Sequence, residues 1–220
     1  MLCFVVGNDV VMIPGFHCLN HSSVYSFFVF LYETKVSQMS ITLITGGQRS
    51  GKSSYAERMA LQLAEHPVYL ATARVWDDEF KKRIEHHQAS RGSRWINIEE
   101  DKALSRHDFT GKVVLVDCVT LWCTNYFFDL NSDTHAALDA LQKEFDALIS
   151  QNATFIFVTN EIGFCGVSEN LLQRKFTDLQ GWMNQYIAER AERVVLMVSG
   201  IPVTIKEKEE ERNFDSMDYV

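Results

Sequence analysis

Ile41-Thr42-Leu43-Ile44-Thr45-Gly46-Gly47-Gln48-Arg49-Ser50-Gly51-Lys52-Ser53 decides the fold. Its first five residues are a β-branched, apolar run that reads as a buried strand. Residues 46–53 fit G-x-x-x-x-G-K-[ST]. Beyond them Ala56, Met59, Ala60 and Leu63 recur at helical spacing. Strand, glycine turn and helix together are the context of a phosphate-binding loop. Gly46 and Gly51 allow backbone angles closed to other residues, so successive N–H groups across Gly47, Gln48, Arg49 and Ser50 can form an anion nest. The helix start adds its positive end. Lys52 supplies a point charge for the outer phosphates of a nucleotide, and Ser53 a hydroxyl for Mg2+. Arg49 either reaches a phosphate or is simply exposed.

Working outward, apolar runs alternate with helical patterns. Val68-Tyr69-Leu70-Ala71, Trp95-Ile96-Asn97-Ile98, Val113-Val114-Leu115-Val116, Phe155-Ile156-Phe157-Val158, Val194–Val198 and Val203–Ile205 read as strands. Asp77–Arg91, Thr134–Ile149 and Glu169–Glu189 read as helices. All-apolar strands between helices predict an α/β fold: a single P-loop, RecA-like domain with a mostly parallel sheet flanked by helices. Ligands in such sheets bind beyond the carboxyl ends of the strands. That rule gathers the P-loop, Thr72-Ala73-Arg74, Asp117 and Asn160-Glu161 on one rim.

The 220 residues suit one such domain with appendages. A net charge of -8 excludes broad nucleic-acid binding through a basic face. Five scattered cysteines with no C-x-x-C pair imply neither a zinc site nor a disulfide framework, and point to a reducing cytoplasm. Residues 1–38 are apolar and aromatic and stand apart from the pattern. They lack the basic start of a signal peptide, and the Ser26–Tyr32 cluster is too short to span a bilayer, so no stable membrane insertion is expected. The expected organisation is an extension over 1–38, a catalytic domain over 39–206, and an acidic tail over 207–220; the extension is untranslated or disordered with Met39 as the start, or else a genuine interaction arm or a weak membrane contact.

Asp117 closes an apolar strand, where P-loop enzymes hold Mg2+ through an acidic side chain; the alternative is a strand-end Asp that caps the next segment. Glu161, a second strand-end carboxylate, fits a loop role as well as a catalytic one. On the charged helix Phe80, Ile84 and His87 share a face, which makes His87 a packing residue. His86 faces elsewhere, beside Lys82 and Arg83. Neighbouring cations favour neutral imidazole, the form that can attack phosphorus; taken alone, an exposed histidine without a role is the simpler reading.

These motifs in order resemble the bifunctional adenosylcobinamide kinase / adenosylcobinamide-phosphate guanylyltransferase family. The resemblance rests on residues 46–53, Ala71-Thr72-Ala73, Asp78-Glu79, Arg83-Ile84-x-His86, Val116-Asp117-Cys118-Val119-Thr120-Leu121-Trp122, Thr159-Asn160-Glu161-Ile162-Gly163 and Ser199-Gly200-Ile201. It runs from about Ile41 to Lys206. It implies phosphorylation of adenosylcobinamide by a nucleoside triphosphate, ATP or GTP. It then implies transfer of GMP from GTP, through a histidine, to adenosylcobinamide phosphate. The resemblance assigns the nucleophile to His86 and nucleotide contacts to Thr72, Ala73, Arg74, His87, Gln88, Ala89, Ser90, Glu99 and Asp117. It also implies a homotrimer. The chain departs from the family pattern at Gly163–Glu169 and at Phe176-Thr177-Asp178. A P-loop small-molecule kinase without histidine chemistry, and a RecA-like nucleotide switch, are the competing readings; His86 in its motif separates the bifunctional enzyme from the kinase, and the switch predicts partner-dependent hydrolysis with no transfer to cobinamide.

Overall fold

The computed structural model describes residues 3–6, 9–12, 40–74 and 92–208. The chain divides into two compact units, Met1–Ser37 and Gln38–Val220. The first holds an antiparallel hairpin, β1 (Cys3–Val6) and β2 (Asp9–Met12), with Cys3 opposite Met12 and Val6 opposite Asp9. The sequence reading places no strand there. The signal available was a pair of valines in each run, Val5-Val6 and Val10-Val11.

The second unit is built on a seven-stranded sheet of order β5-β4-β6-β7-β3-β8-β9. Its strands are β3 (Ser40–Gly46), β4 (Val68–Ala71), β5 (Ile96–Glu99), β6 (Val113–Asp117), β7 (Thr154–Val158), β8 (Arg193–Val198) and β9 (Ile201–Glu207). Every neighbouring pair is parallel except β8 and β9. The helices are α1 (Lys52–Leu63), α2 (Val119–Asp129), α3 (Thr134–Ile149) and α4 (Leu171–Arg190). Expected element boundaries shift by one or two residues in most cases. Glu207, assigned to the tail from sequence, instead ends β9 and lies 3.7 Å from Arg193 Nε. Residues 209–220 lie outside the described residues, as does the helix expected over Asp77–Arg91 with His86, His87, Gln88, Ala89 and Ser90.

Alternate strand residues feed two apolar layers. Ile41, Leu43, Val114, Val116, Phe155, Phe157 and Val194 face α2, α3 and α4. Ile44, Leu115, Ile156, Val158, Val195 and Met197 face Ala56 and Ala60 of α1. The first layer is aromatic: Trp122, Phe109, Phe127, Phe145, Phe155 and Phe157 are fully buried, and Phe145 meets Phe157 at 5.3 Å between ring centroids. Each such side chain contributes roughly 1.5–3 kcal/mol through burial. Small residues on α1 bring that helix close to the sheet, which sets the P-loop tightly over β3.

One helix departs from the sequence reading. Val119–Asp129 follows Asp117 directly, yet its composition gives no amphipathic stripe. Val119, Trp122, Cys123, Asn125, Tyr126 and Phe127 are all buried. Burial on nearly every side removes the polar face that makes a helix visible as a 3.6-residue period. Asn125 is tolerated inside because its Nδ2 donates to the carbonyls of Thr72 and Asp101, both at 2.8 Å.

At the far edge β9 is exposed along its length. Pro202 lacks a donor and Lys206 carries charge, both of which blunt an edge strand against further pairing. Lys206 Nζ also donates to Ala188 and Glu189 carbonyls at the end of α4. Among the described residues no helix is long and apolar enough to cross a membrane.

Candidate nucleotide site

The register brings the expected rim together. Ala71 pairs with Glu99 on one side and Asp117 on the other, and Asp117 pairs with Val158. Val158 in turn pairs with Ile44, two residues before the loop. Residues 46–53, Thr72–Arg74, Glu99, Asp117 and Asn160-Glu161 therefore end at the same level of the sheet.

In the loop Gly47, Gln48 and Arg49 are exposed, whereas Ser50 and Lys52 are buried. Four loop carbonyls are engaged. Gly46 O accepts from Glu161 N at 3.0 Å, Ser50 O from Gly200 N at 3.0 Å, and Gly51 O from Tyr55 N at 3.1 Å. Gly47 O accepts from Lys52 Nζ at 2.6 Å. In a trans peptide the N–H points opposite to the C=O. Carbonyls committed to the framework therefore turn the next amides the other way.

Gly46 (φ 148) and Gly51 (φ 92) hold backbone angles that favour glycine. A Cβ on Gly46 would also stand 2.5 Å from Met197 O. Helix α1 begins with no side-chain cap and no acidic residue in its first turn. By contrast Asp133 caps α3 through His135 N and Ala136 N, and Asn170 caps α4 through Leu172 N and Gln173 N. An uncapped N-terminus following a glycine loop is a ready anion site.

Desolvation lowers the pKa of the Lys52 ammonium, and the Asp117 carboxylate opposes that shift. Burial and the adjacent Asp117 push the Cys118 thiol up to about 12, so it is neutral at pH 7. Asp117 itself is held by Tyr69, whose phenol donates to Oδ2. Tyr69 is buried on β4 and packs edge-on against Trp95 at 5.5 Å. Among the described residues no cluster of three or more His, Cys, Asp or Glu side chains could cage a metal ion. Ser53 in the first turn of α1, and Asp117, Glu99 and Glu161 at or just beyond strand ends, carry oxygens on the rim.

The neighbouring segment is tied down. Thr72 Oγ1 donates to Cys118 O at 2.7 Å and accepts from Cys118 N at 2.9 Å. The Arg74 guanidinium meets Asp101 at 2.6 Å and Asp129 at 2.8 and 3.0 Å, and Lys102 joins Asp129 at 2.9 Å. Arg74, expected to face a nucleotide, is engaged with these carboxylates. Its hydrogen bonds, with those from Lys102, hold Asp129 well below the usual carboxylate range.

On the other side, Asn160 N–H donates to Thr120 Oγ1 at 3.0 Å, and Asn184 Nδ2 donates to Asn160 O at 3.2 Å. Thr159, Gln180 and Asn184 form a buried network, with Thr159 Oγ1 to Asn184 Oδ1 at 2.7 Å and Gln180 Nε2 to Thr159 Oγ1 at 2.8 Å. Glu161 Oε1 accepts from Gly163 N at 3.1 Å, so its carboxylate also caps the turn Gly163–Cys165. From the sequence Thr120 and Gly200 enter only as members of family motifs, Tyr69 only as a strand residue, and Gln180 only within the expected helix Glu169–Glu189.

A parallel sheet with an uncapped glycine loop and an acidic strand end defines a P-loop nucleotide-binding α/β protein. Residues 42–205 match the family described as Cobinamide kinase / cobinamide phosphate guanyltransferase. The chain is 40% identical over 169 residues to the bifunctional adenosylcobalamin biosynthesis protein CobP of Pseudomonas aeruginosa, covering 74% of this chain and 96% of that protein. It is 38% identical over 179 residues to the bifunctional adenosylcobalamin biosynthesis protein CobU of Escherichia coli, covering 74% and 98%. The chain therefore belongs to the cobinamide kinase / cobinamide phosphate guanyltransferase family. Similar solved structures include the RadB recombinase, at 15% identity and TM-score 0.41 over 73% of this chain and 75% of that one. Another is the flagellar accessory protein FlaH of Methanocaldococcus jannaschii, at 14% identity and TM-score 0.40 over 78% and 80%.

Proposed function

We propose that this protein is a bifunctional enzyme of adenosylcobalamin biosynthesis that acts twice on a cobinamide. In the first reaction the aminopropanol hydroxyl of adenosylcobinamide attacks the γ-phosphorus of ATP or GTP. The bond to the β-phosphate oxygen breaks, and a nucleoside diphosphate and a proton leave. In the second, an imidazole nitrogen of His86 attacks the α-phosphorus of GTP and pyrophosphate leaves. A phosphate oxygen of adenosylcobinamide phosphate then displaces the histidine, which gives adenosylcobinamide-GDP and restores the imidazole. Splitting one displacement into two lowers each barrier.

The observation that carries this reading is the loop Gly46–Ser53 inside a family match spanning residues 42–205. Its amides and Lys52 hold the phosphates, and charge stabilisation with positioning is most of what phosphoryl transfer requires. Bound between phosphate oxygens, Ser53 and Asp117, Mg2+ would neutralise charge on the leaving phosphates. Thr72, Ala73, Glu99 and residues 87–90 complete the nucleotide contacts in this reading, and Arg74 joins them after exchanging its carboxylate partners for phosphate. Residues 39–206 form the catalytic domain, the working assembly is a homotrimer, and the enzyme acts in the cytoplasm on small molecules, with no nucleic-acid partner.

Incubation with α-labelled GTP tests the covalent step. Label stable to base and labile to acid should remain on the native protein and be absent from His86→Ala, whose kinase activity survives. A folded, kinase-competent protein that never takes label would leave a P-loop kinase without histidine chemistry.

A further inference from the structure

We propose that the β8–β9 hairpin turn, Ser199-Gly200, is a positioning element for the P-loop: its Gly200 amide orients the Ser50–Gly51 peptide so that the Gly51 N–H faces bound phosphate. The inference rests on the reading of Gly46–Ser53 as a triphosphate cradle.

Val198 pairs with Ile201, so Ser199 and Gly200 form a two-residue loop. Their φ values of 51 and 83 are those of a turn that matches strand twist but requires two left-handed residues. The turn lies at the antiparallel edge of the sheet, far from the P-loop in sequence, yet a hydrogen bond and a close approach join them, and the end of β8 adds a second close approach. Gly200 N donates to Ser50 O at 3.0 Å. A Cβ on Gly51 would stand 3.3 Å from Gly200 Cα, and a Cβ on Gly46 would meet Met197 near the end of β8. The two glycines that define the motif are thus glycines partly because this hairpin presses on them.

The direction of the bond matters more than its strength. The Ser50–Gly51 peptide can rotate between two orientations, because Gly51 has no Cβ to bar either one. With Ser50 O fixed toward Gly200, the Gly51 N–H must point away from the hairpin. A peptide already turned this way need not reorganise when phosphate arrives, and such preorganisation appears as affinity. Without the hairpin the same loop could present a carbonyl to the phosphate, which would repel it.

The test is a series at Gly200 with binding of a fluorescent GTP analogue as its readout, which needs neither His86 nor a cobinamide. Gly200→Asn keeps the N–H and a residue that tolerates positive φ. Gly200→Ala strains the turn, and Gly200→Val strains it more. Affinity should stay within about twofold for Asn, because it tolerates the left-handed φ that aims the amide at Ser50 O, and fall roughly fivefold to tenfold for Val, the worth of one peptide hydrogen bond. Ala should lie between, and it carries the test should Val fail to fold. Nucleotide should slow hydrogen exchange at the Gly51 amide in the native and Asn proteins and much less in Ala. Unchanged affinity across the folded variants, or equal loss in Asn and Ala, would overturn the proposal. A native protein that does not bind the analogue would remove the cradle reading itself, and the proposal with it.

Discussion

Two segments of one rim, each the end of a parallel strand, are put to opposite uses. After β3 the chain gives its carbonyls to the framework and leaves a helix start uncapped. After β4 it spends its side chains internally, Thr72 on Cys118 and Arg74 on Asp101 and Asp129. The first segment offers donors to a ligand. The second braces α2 and the Asp101–Lys102 loop against the sheet. The two differ in what a ligand must displace: nothing caps the helix start after β3, whereas Arg74 can turn to a ligand only by releasing Asp101 and Asp129.

The most forceful way to break that contrast is Lys52→Ala. If the β3 segment is the phosphate cradle, kcat/KM for both the kinase and the guanylylation reaction should fall at least about a hundredfold. Steady-state assays with adenosylcobinamide and with adenosylcobinamide phosphate would measure this, and thermal unfolding would show that the protein still folds. Loss confined to one reaction would mean that the two do not share the loop.

Tyr69→Phe sharpens the comparison at the carboxylate between the two segments. Removing the phenol frees Asp117 Oδ2 and lets the side chain wander. The gain in nucleotide affinity on adding Mg2+ should shrink about tenfold. Affinity without Mg2+ should not change, and titration calorimetry at several Mg2+ concentrations would separate the two.

The smallest expected effect belongs to the braced segment. Asp129 has its pKa depressed in the folded state by Arg74 and Lys102. Its unfolded-state value is about 3.9, so the unfolded chain binds the proton first as pH falls. The stability from this ion pair is therefore complete at neutral pH and is lost on acidification below about pH 4. Asp129→Asn should cost about 0.5–1 kcal/mol at pH 7, because the pair is partly exposed. Urea unfolding of both proteins should show that gap closing as the pH is lowered.

How legible each part was depends on the distance in sequence between the groups that make it. Residues 46–53 were readable because a loop, a lysine and a helix start lie within eight positions. Strands β3, β4, β6 and β7 were readable because both faces are buried, which writes them as continuous apolar runs. Helix α2 was not, since burial around Trp122, Asn125 and Phe127 erased its period. The bonds from Tyr69 to Asp117 and from Asn184 to Asn160 were not either, because they join residues 48 and 24 positions apart. No local pattern encodes such partners.

The sequence by itself determined the kind of fold, the phosphate loop and the family, because these follow from short-range order: periodicity, glycine backbone freedom and motif spacing. The tertiary structure alone decided which rim groups stay available. That choice depends on hydrogen-bond partners brought from distant strands and helices. A donor already bound at 2.8 Å to a neighbour, like the Arg74 guanidinium at Asp129, can reach a ligand only by giving that neighbour up.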